Sequence, residues 1–322
     1  MKKSFITAVL IVTALIAAFT SPAFCWWDQG HEIVASIAWD NMEQSTKDRL
    51  SAIGFNQTRF INAACYPDDF KNETTAPWHY VNWIYAPDGM HRTVLAGGIL
   101  EAIPQEIRNL ISDPKDFTSV KYLAHFIGDI HCPMHNISYM INGEPDLGGN
   151  KFYITLPDGN SVKLHAFWDS LPTNIMKKHC DKVGVKYLIN RPMSLEKFEK
   201  KLAESGYQFT EKKYEDYLYD QRQGEFEGII STGRMLVSKE GIKKDRVNIA
   251  SPDTMVTKWS YDESYKIACS SYHQDMDIDK PFMNSSDTIS PEYEKKAIKE
   301  ARQRLVLAGM RLASILDAIY NN

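Results

Sequence analysis

His125 and Asp129 stand four residues apart in the stretch Val120 to His135, VKYLAHFIGDIHCPMH. Leu123, Phe126, Ile127 and Ile130 recur there at helical spacing, so the pattern predicts a helix with a buried apolar face. Four residues of helix span about 400° of rotation and about 6 Å of rise, so the imidazole and the carboxylate project together. Such a pair can hold one metal ion. It can equally be a satisfied core pair, and the other donors along the chain have to separate the two readings. Pro133 should stop the helix, which places His135 beyond the turn and aims it at a neighbouring point. The same spacing returns at His165 and Asp169 in HAFWDSLP, and His31, Asp68 and His79 add donors at a helix start or in loops. Imidazole with carboxylate is what zinc accepts at about 2.0–2.2 Å, and an open coordination position makes such a site catalytic. These eight side chains exceed what one zinc needs. His91, His131, His179 and His273 read as solvated or supporting histidines.

The ends of the chain and its charge limit the setting. Lys2 and Lys3 precede an apolar run from Phe5 to Phe19 and then Ser21 to Cys25, the pattern of a secretory signal. Cleavage after Cys25 would leave Trp26 as the N-terminus, and residues 26–322 form one domain. The expected destination is the periplasm or the medium, without stable membrane association. With 41 acidic against 37 basic residues, two of them in the signal, the chain is no general duplex binder held by phosphate neutralisation. Nucleic-acid contact should be local and metal-centred. Cys65, Cys132, Cys180 and Cys269 remain after cleavage and could form two disulfides in any of three pairings. No CxxC occurs, so a cysteine zinc site has little support.

Helices must carry these donors. His31 to Met42 shows one apolar face, and a second helix is expected from a Ser45 cap to Gly54. The stretch from Phe60 to Trp83, broken by Pro67 and Pro77, reads as loop and short pieces. Val94 to Leu110 reads as helix interrupted at Pro104, and the central helix should start from a cap near Thr118 or Ser119. PDGN between FYITL and SVKLH predicts a hairpin over Phe152 to His165. A charged helix is expected from Ser194 to Ser205, and about 190–249 reads as a solvated insertion. Ser251-Pro252 opens a helix through Cys269, and Ser290-Pro291 opens a long amphipathic one to Tyr320. The expected class is mainly α, a single helical domain with a small hairpin.

Several motifs then carry a family resemblance. In order they are Trp26 with Gly30-His31, Tyr66-Pro-Asp68-Asp-Phe-Lys71, Trp78-His79-Tyr80, HFIGDIHCPMH, Gly148-Gly-Asn150, LHAFWDS and, at the end, AGMRLASIL. The chain resembles the zinc-dependent single-strand nucleases, the S-one and P-one nucleases, whose fold is related to zinc-dependent phospholipase C. The resemblance implies three zinc ions. It places one at Asp68, His79, His125 and Asp129, and a second at His135, His165 and Asp169. The third would use the free amine and carbonyl of Trp26 with His31 and Asp129, so Asp129 bridges two ions. It also implies catalytic roles for Asp68, Lys71 and Asp129, base stacking on Tyr80, and base-edge contacts from Asn82 and Asn150. Asn82 stands where many members carry Asp, and Tyr66-Pro67 replaces a frequent Trp-Ala. Cys269 matches a disulfide cysteine of the family, but no Cys lies near residue 91 to pair with it.

The implied function is hydrolysis of single-stranded DNA and RNA to 5′-phosphate products, with 3′-nucleotidase activity, by a monomer. Paired zinc ions about 3.5–4 Å apart lower the pKa of a water from 15.7 toward 7, which supplies the nucleophile at neutral pH. Zinc-dependent phospholipase C is the nearest rival, although those enzymes carry Glu where this chain has Asp169 and lack the Gly-Gly-Asn motif. A zinc-binding protein without catalysis is the other.

Overall fold

Helix α1 (Asp28–Asn41) is buried on nearly every side because small and apolar residues surround it: Ile33, Val34, Ala35, Ile37 and Ala38 are all inaccessible or almost so. The computed structural model describes residues 26–187 and 193–321, so the signal expected at 1–25 lies outside the described residues. Against α1 pack α3 (Gln57–Ala63), the central helix α6 (Phe117–His131), α7 (Leu164–Val183), α10 (Phe226–Glu240) and the long closing helix α13 (Pro291–Tyr320). The molecule is mainly helical with a few short strands, as the periodicity implies. No helix among the described residues is long and apolar enough to cross a membrane.

The central helix ends as expected and begins slightly earlier. Asp116 caps it, its carboxylate accepting from the amides of Thr118 at 3.0 Å and Ser119 at 3.1 Å. After His131 the backbone turns extended at Cys132, and a 3-10 turn, Pro133–Asn136, carries His135. The closing helix starts from Ser290, whose hydroxyl accepts from the Tyr293 amide. The segment from Ser251 runs as α11 (Pro252–Thr257), a π-helical stretch and α12 (Tyr265–Ser270).

Several expectations need correction. Helix α2 (Gln44–Ala52) starts before Ser45, with Glu43 at the cap position. The stretch from Phe60, by contrast, is loop and short pieces as read: the end of α3, capped by Asn56, the short α4 (Tyr66–Asp69) and a 3-10 turn at Ala76–His79. Val94 to Gly97 is strand, not helix. It belongs to β2 (Gly89–Gly97), which pairs antiparallel with β1 (Val81–Ala86) and sets Val94 opposite Trp83. Helix α5 (Ile99–Ser112) follows and is not interrupted at Pro104. A proline there removes one internal hydrogen bond, while the buried face of Ile99, Ile103, Ile107 and Leu110 holds the helix together.

Strand β1 also runs parallel to β3 (Ser138–Ile141), which pairs with β4 (Glu144–Pro145), giving a sheet of order β2-β1-β3-β4. The predicted hairpin is present as β5 (Tyr153–Thr155) and β6 (Ser161–Lys163). Of the stretch read as a solvated insertion, residues 193–249 are not solvated throughout. Helices α8 (Leu195–Glu204) and α9 (Glu211–Gln221) bury Phe198, Tyr214 and Leu218 beside Phe70, while α10 buries Phe226, Ile229 and Leu236 in the main core. Arg222 reaches Glu32 of α1 at 2.5 Å and Glu225 at 3.0 Å.

Among the described residues no disulfide is formed: Cys65, Cys132, Cys180 and Cys269 are all buried thiols. Three of them have different neighbours: Cys65 the Asp28 carbonyl, Cys132 the Asp169 carboxylate and Cys180 the Thr232 hydroxyl. Burial pushes the thiols of Cys132, Cys180 and Cys269 up in pKa, so they are poor nucleophiles.

Candidate metal centre

The His125 ring is oriented from behind. Its Nδ1 donates to the Ala64 carbonyl at 2.7 Å, leaving Nε2 aimed at Asp129 Oδ2, 3.2 Å away, and His79 Nδ1, 3.0 Å away. His79 closes the turn that starts after Thr75, and its Nδ1 lies 3.1 Å from Asp129 Oδ2 and 3.7 Å from Asp68 Oδ1. Asp68 arrives on α4, with Oδ2 3.9 Å from His125 Nε2. Lys71 donates from Nζ to Asp68 Oδ1 at 2.9 Å. Asp68, His79, His125 and Asp129 therefore converge from three separate segments, the last two sharing α6, as the set expected for a first ion.

On the other side of Asp129, His31 stacks on His125 with ring centroids 3.7 Å apart and planes 10° apart. Its Nε2 lies 3.5 Å from Asp129 Oδ1. Gly128 makes room for it, since a Cβ at that position would fall 2.8 Å from His31 Nδ1. Trp26 is wholly buried against Gly30, the residue before His31.

The third cluster lies where the exit of α6 meets α7. His165 donates from Nδ1 to the Gly148 carbonyl at 2.7 Å, and its Nε2 lies 3.3 Å from Asp169 Oδ2. His135 donates from Nδ1 to the His79 carbonyl at 2.7 Å, with its ring 5.1 Å from that of His165. Donor atoms of Cys132, His135 and Asp169 come within 4.8 Å of one another, and the Cys132 thiol sits 3.8 Å from Asp169 Oδ1. The absence of a CxxC does not point to Cys132 as a donor. Its position midway between Asp129 and His135 was the available signal.

The electrostatics suit cations. Burial alone would raise the pKa of Asp68, but His125, His79 and Lys71 outweigh it and hold the carboxyl well below the usual range. Asp129 likewise is held far down, burial being overcome by the charge and hydrogen bond of His125 and the hydrogen bond of His79. Asp169 moves well above its ordinary value, through burial and then the charges of Asp129 and Asp68. Burial and then His125 lower His31 to about 3, so its ring is neutral and free to donate a lone pair. Both His31 nitrogens and Asp129 Oδ1 are buried with no hydrogen bond, which is costly unless a cation is shared between them. The residues fit divalent ions.

The residues expected to meet substrate lie on two segments next to the centre. Tyr80 directly follows His79 and is half-buried, and Asn82 is buried in β1. Asn150 donates from Nδ2 to the Leu147 carbonyl at 2.9 Å, on the loop that fixes His165.

A helical protein folded around a buried, three-part donor cluster is the class that fold and site define. Residues 26–321 match the family described as S1/P1 Nuclease, and the chain belongs to it. It is 27% identical to Nuclease S1 of Aspergillus oryzae over 97% of both chains. It is also similar to Endonuclease 3 of Arabidopsis thaliana, 26% identical over 52% of this chain and 60% of that protein. With Nuclease P1 of Penicillium citrinum it shares 23% identity over 48% of this chain and 61% of the other.

Proposed function

We propose that this protein is a zinc-dependent hydrolase that cleaves single-stranded DNA and RNA to 5′-phosphate products and also acts on 3′-nucleotides. Membership in a nuclease family over nearly the whole described chain supports the reading. The observation that carries it is Asp129, which presents Oδ2 to His79 and His125 and Oδ1 to His31. Three ions would be held by Asp68, His79, His125 and Asp129, by Trp26, His31 and Asp129, and by His135, His165 and Asp169. When bound, zinc supplies Lewis-acid polarisation of the phosphate and a lowered pKa for water.

The chain's own residues do the rest. Backbone carbonyls of Ala64, His79 and Gly148 fix the tautomers of His125, His135 and His165, turning each Nε2 inward. Lys71, held beside Asp68, offsets negative charge that grows on the phosphate oxygens in the transition state. Tyr80 offers a face for stacking, worth about 1–3 kcal/mol per base and indifferent to sequence. Stacking there needs an unstacked base, which favours single strands. Asn82 and Asn150 present both donors and acceptors to the base edge. The protein acts as an exported monomer, and removal of residues 1–25 completes the site by freeing the Trp26 amine.

The test is turnover of single-stranded DNA, RNA, 3′-AMP and phosphatidylcholine side by side, with metal analysis of the processed protein. Cleavage of the first three with 5′-phosphate ends on the nucleic-acid fragments, and about three zinc ions per chain, are expected. Hydrolysis of phosphatidylcholine alone, or a metal-free protein, overturns the reading.

A further inference from the structure

We infer that Asp146 and Tyr272 are positioning residues that lock the loop 147–149 and through its carbonyls fix the ring of His165. The inference rests on the hydrolase reading for its activity readout alone. Leu147, Gly148 and Gly149 take φ values of 58, 67 and 79°, three successive left-handed residues, and Leu147 has no intrinsic preference for that region. Something has to hold them there. Asp146, 1% exposed, accepts from the Tyr139 amide on Oδ1 at 2.9 Å. Its Oδ2 accepts from the Gly149 amide at 3.0 Å and from the Tyr272 hydroxyl at 2.6 Å. One carboxylate thus ties strand β3, the loop and a tyrosine buried behind them.

The opposite side of the loop faces the centre. Gly148 accepts from His165 Nδ1 at 2.7 Å, and Gly149 accepts from the His165 amide at 3.3 Å. The loop is seated tightly, since a Cβ on Gly148 would fall 2.6 Å from the Met134 carbonyl in the turn that carries His135. Tyr272 itself is wedged against Tyr139 and Phe152, with ring centroids 5.0 and 5.2 Å away. Its influence on His165 and on Asn150 passes through Asp146.

Asp146→Asn keeps the side-chain shape but leaves only one oxygen to accept, and Tyr272→Phe removes one donor from a ring that stays packed. Hydrogen exchange at the Gly149 amide should quicken at least about tenfold in both, as local opening becomes easier, while the Leu305 amide in α13 stays unchanged. Turnover of single-stranded DNA should fall about 100-fold for Asp146→Asn and about tenfold for Tyr272→Phe, and the double variant should be no worse than Asp146→Asn, because the two share one network. Lost turnover with native exchange at Gly149, faster exchange with intact turnover, or losses that multiply would each overturn the inference. A wild-type protein inactive on every phosphoester overturns the hydrolase reading instead, and the exchange rates still judge the clamp.

Discussion

Asp129 Oδ1 lies 3.5 Å from His31 Nε2, and both atoms are buried without a hydrogen bond, although the other oxygen of the same carboxylate is engaged by His79 and His125. Each unmet buried group costs about 1–3 kcal/mol, and a cation bridging the two removes both penalties. Asp129→Asn should therefore lose metal on both sides of the residue. Activity should drop by about 10³-fold, the upper end for removing one preorganised charge contact. Metal analysis decides it, and a variant with the wild-type zinc content would sink the bridging role.

Gly128 tests the His31 side alone. Adding a methyl group 2.8 Å from His31 Nδ1 forces the ring off His125, on a helix whose own backbone tolerates alanine. Gly128→Ala should fold, lose about one ion per chain, and keep the ion between Asp68 and His79. Full metal content with native activity would show that His31 is not a ligand.

Lys71 calls for the opposite pattern. Its ammonium neighbours Asp68 without being a metal donor, so Lys71→Ala should keep its zinc and lose about 10²-fold in kcat. Lys71→Arg should recover part of that. Loss of metal in Lys71→Ala would make the residue structural.

The legible parts of this site are those in which local geometry does the work. His125 with Asp129 and His165 with Asp169 meet because four residues of helix bring any two side chains together, and the observed separations are 3.2 and 3.3 Å. Cys132 escaped because its approach to Asp169 depends on how the exit of α6 packs on α7, which no spacing reveals. Strand β2 escaped for a similar reason: Val94 is strand only because Trp83 lies opposite it. In α10 polar residues and glycines hide the inward face, yet Gly233 sits so close to α1 that a Cβ would be 3.2 Å from Ile37. The two disulfides that cysteine count and export allow are not formed among the described residues, where Cys65, Cys132 and Cys180 each have a different neighbour. Reducing agent should accordingly leave the thermal midpoint unchanged, and a drop of several degrees, the shift about 1 kcal/mol produces, would restore a disulfide.

Acid sensitivity should come partly from a histidine outside the donor clusters. His131 is wholly buried, donating from Nδ1 to the Ile127 carbonyl at 2.7 Å and accepting from Arg311 on Nε2 at 2.8 Å. Burial, then the charges of Arg304 and Arg311, push its pKa well below the ordinary 6.5. The unfolded ring takes up a proton below about pH 6.5 while the folded ring does not, so stability falls as the pH drops, at about 1.4 kcal/mol per pH unit. Above that pH the contribution is complete. With zinc held saturating, wild type should lose about 2 kcal/mol more between pH 7 and pH 5 than His131→Gln, whose amide does not titrate. Urea unfolding at the two pH values measures this, and equal losses would mean that the buried imidazole protonates in the native state.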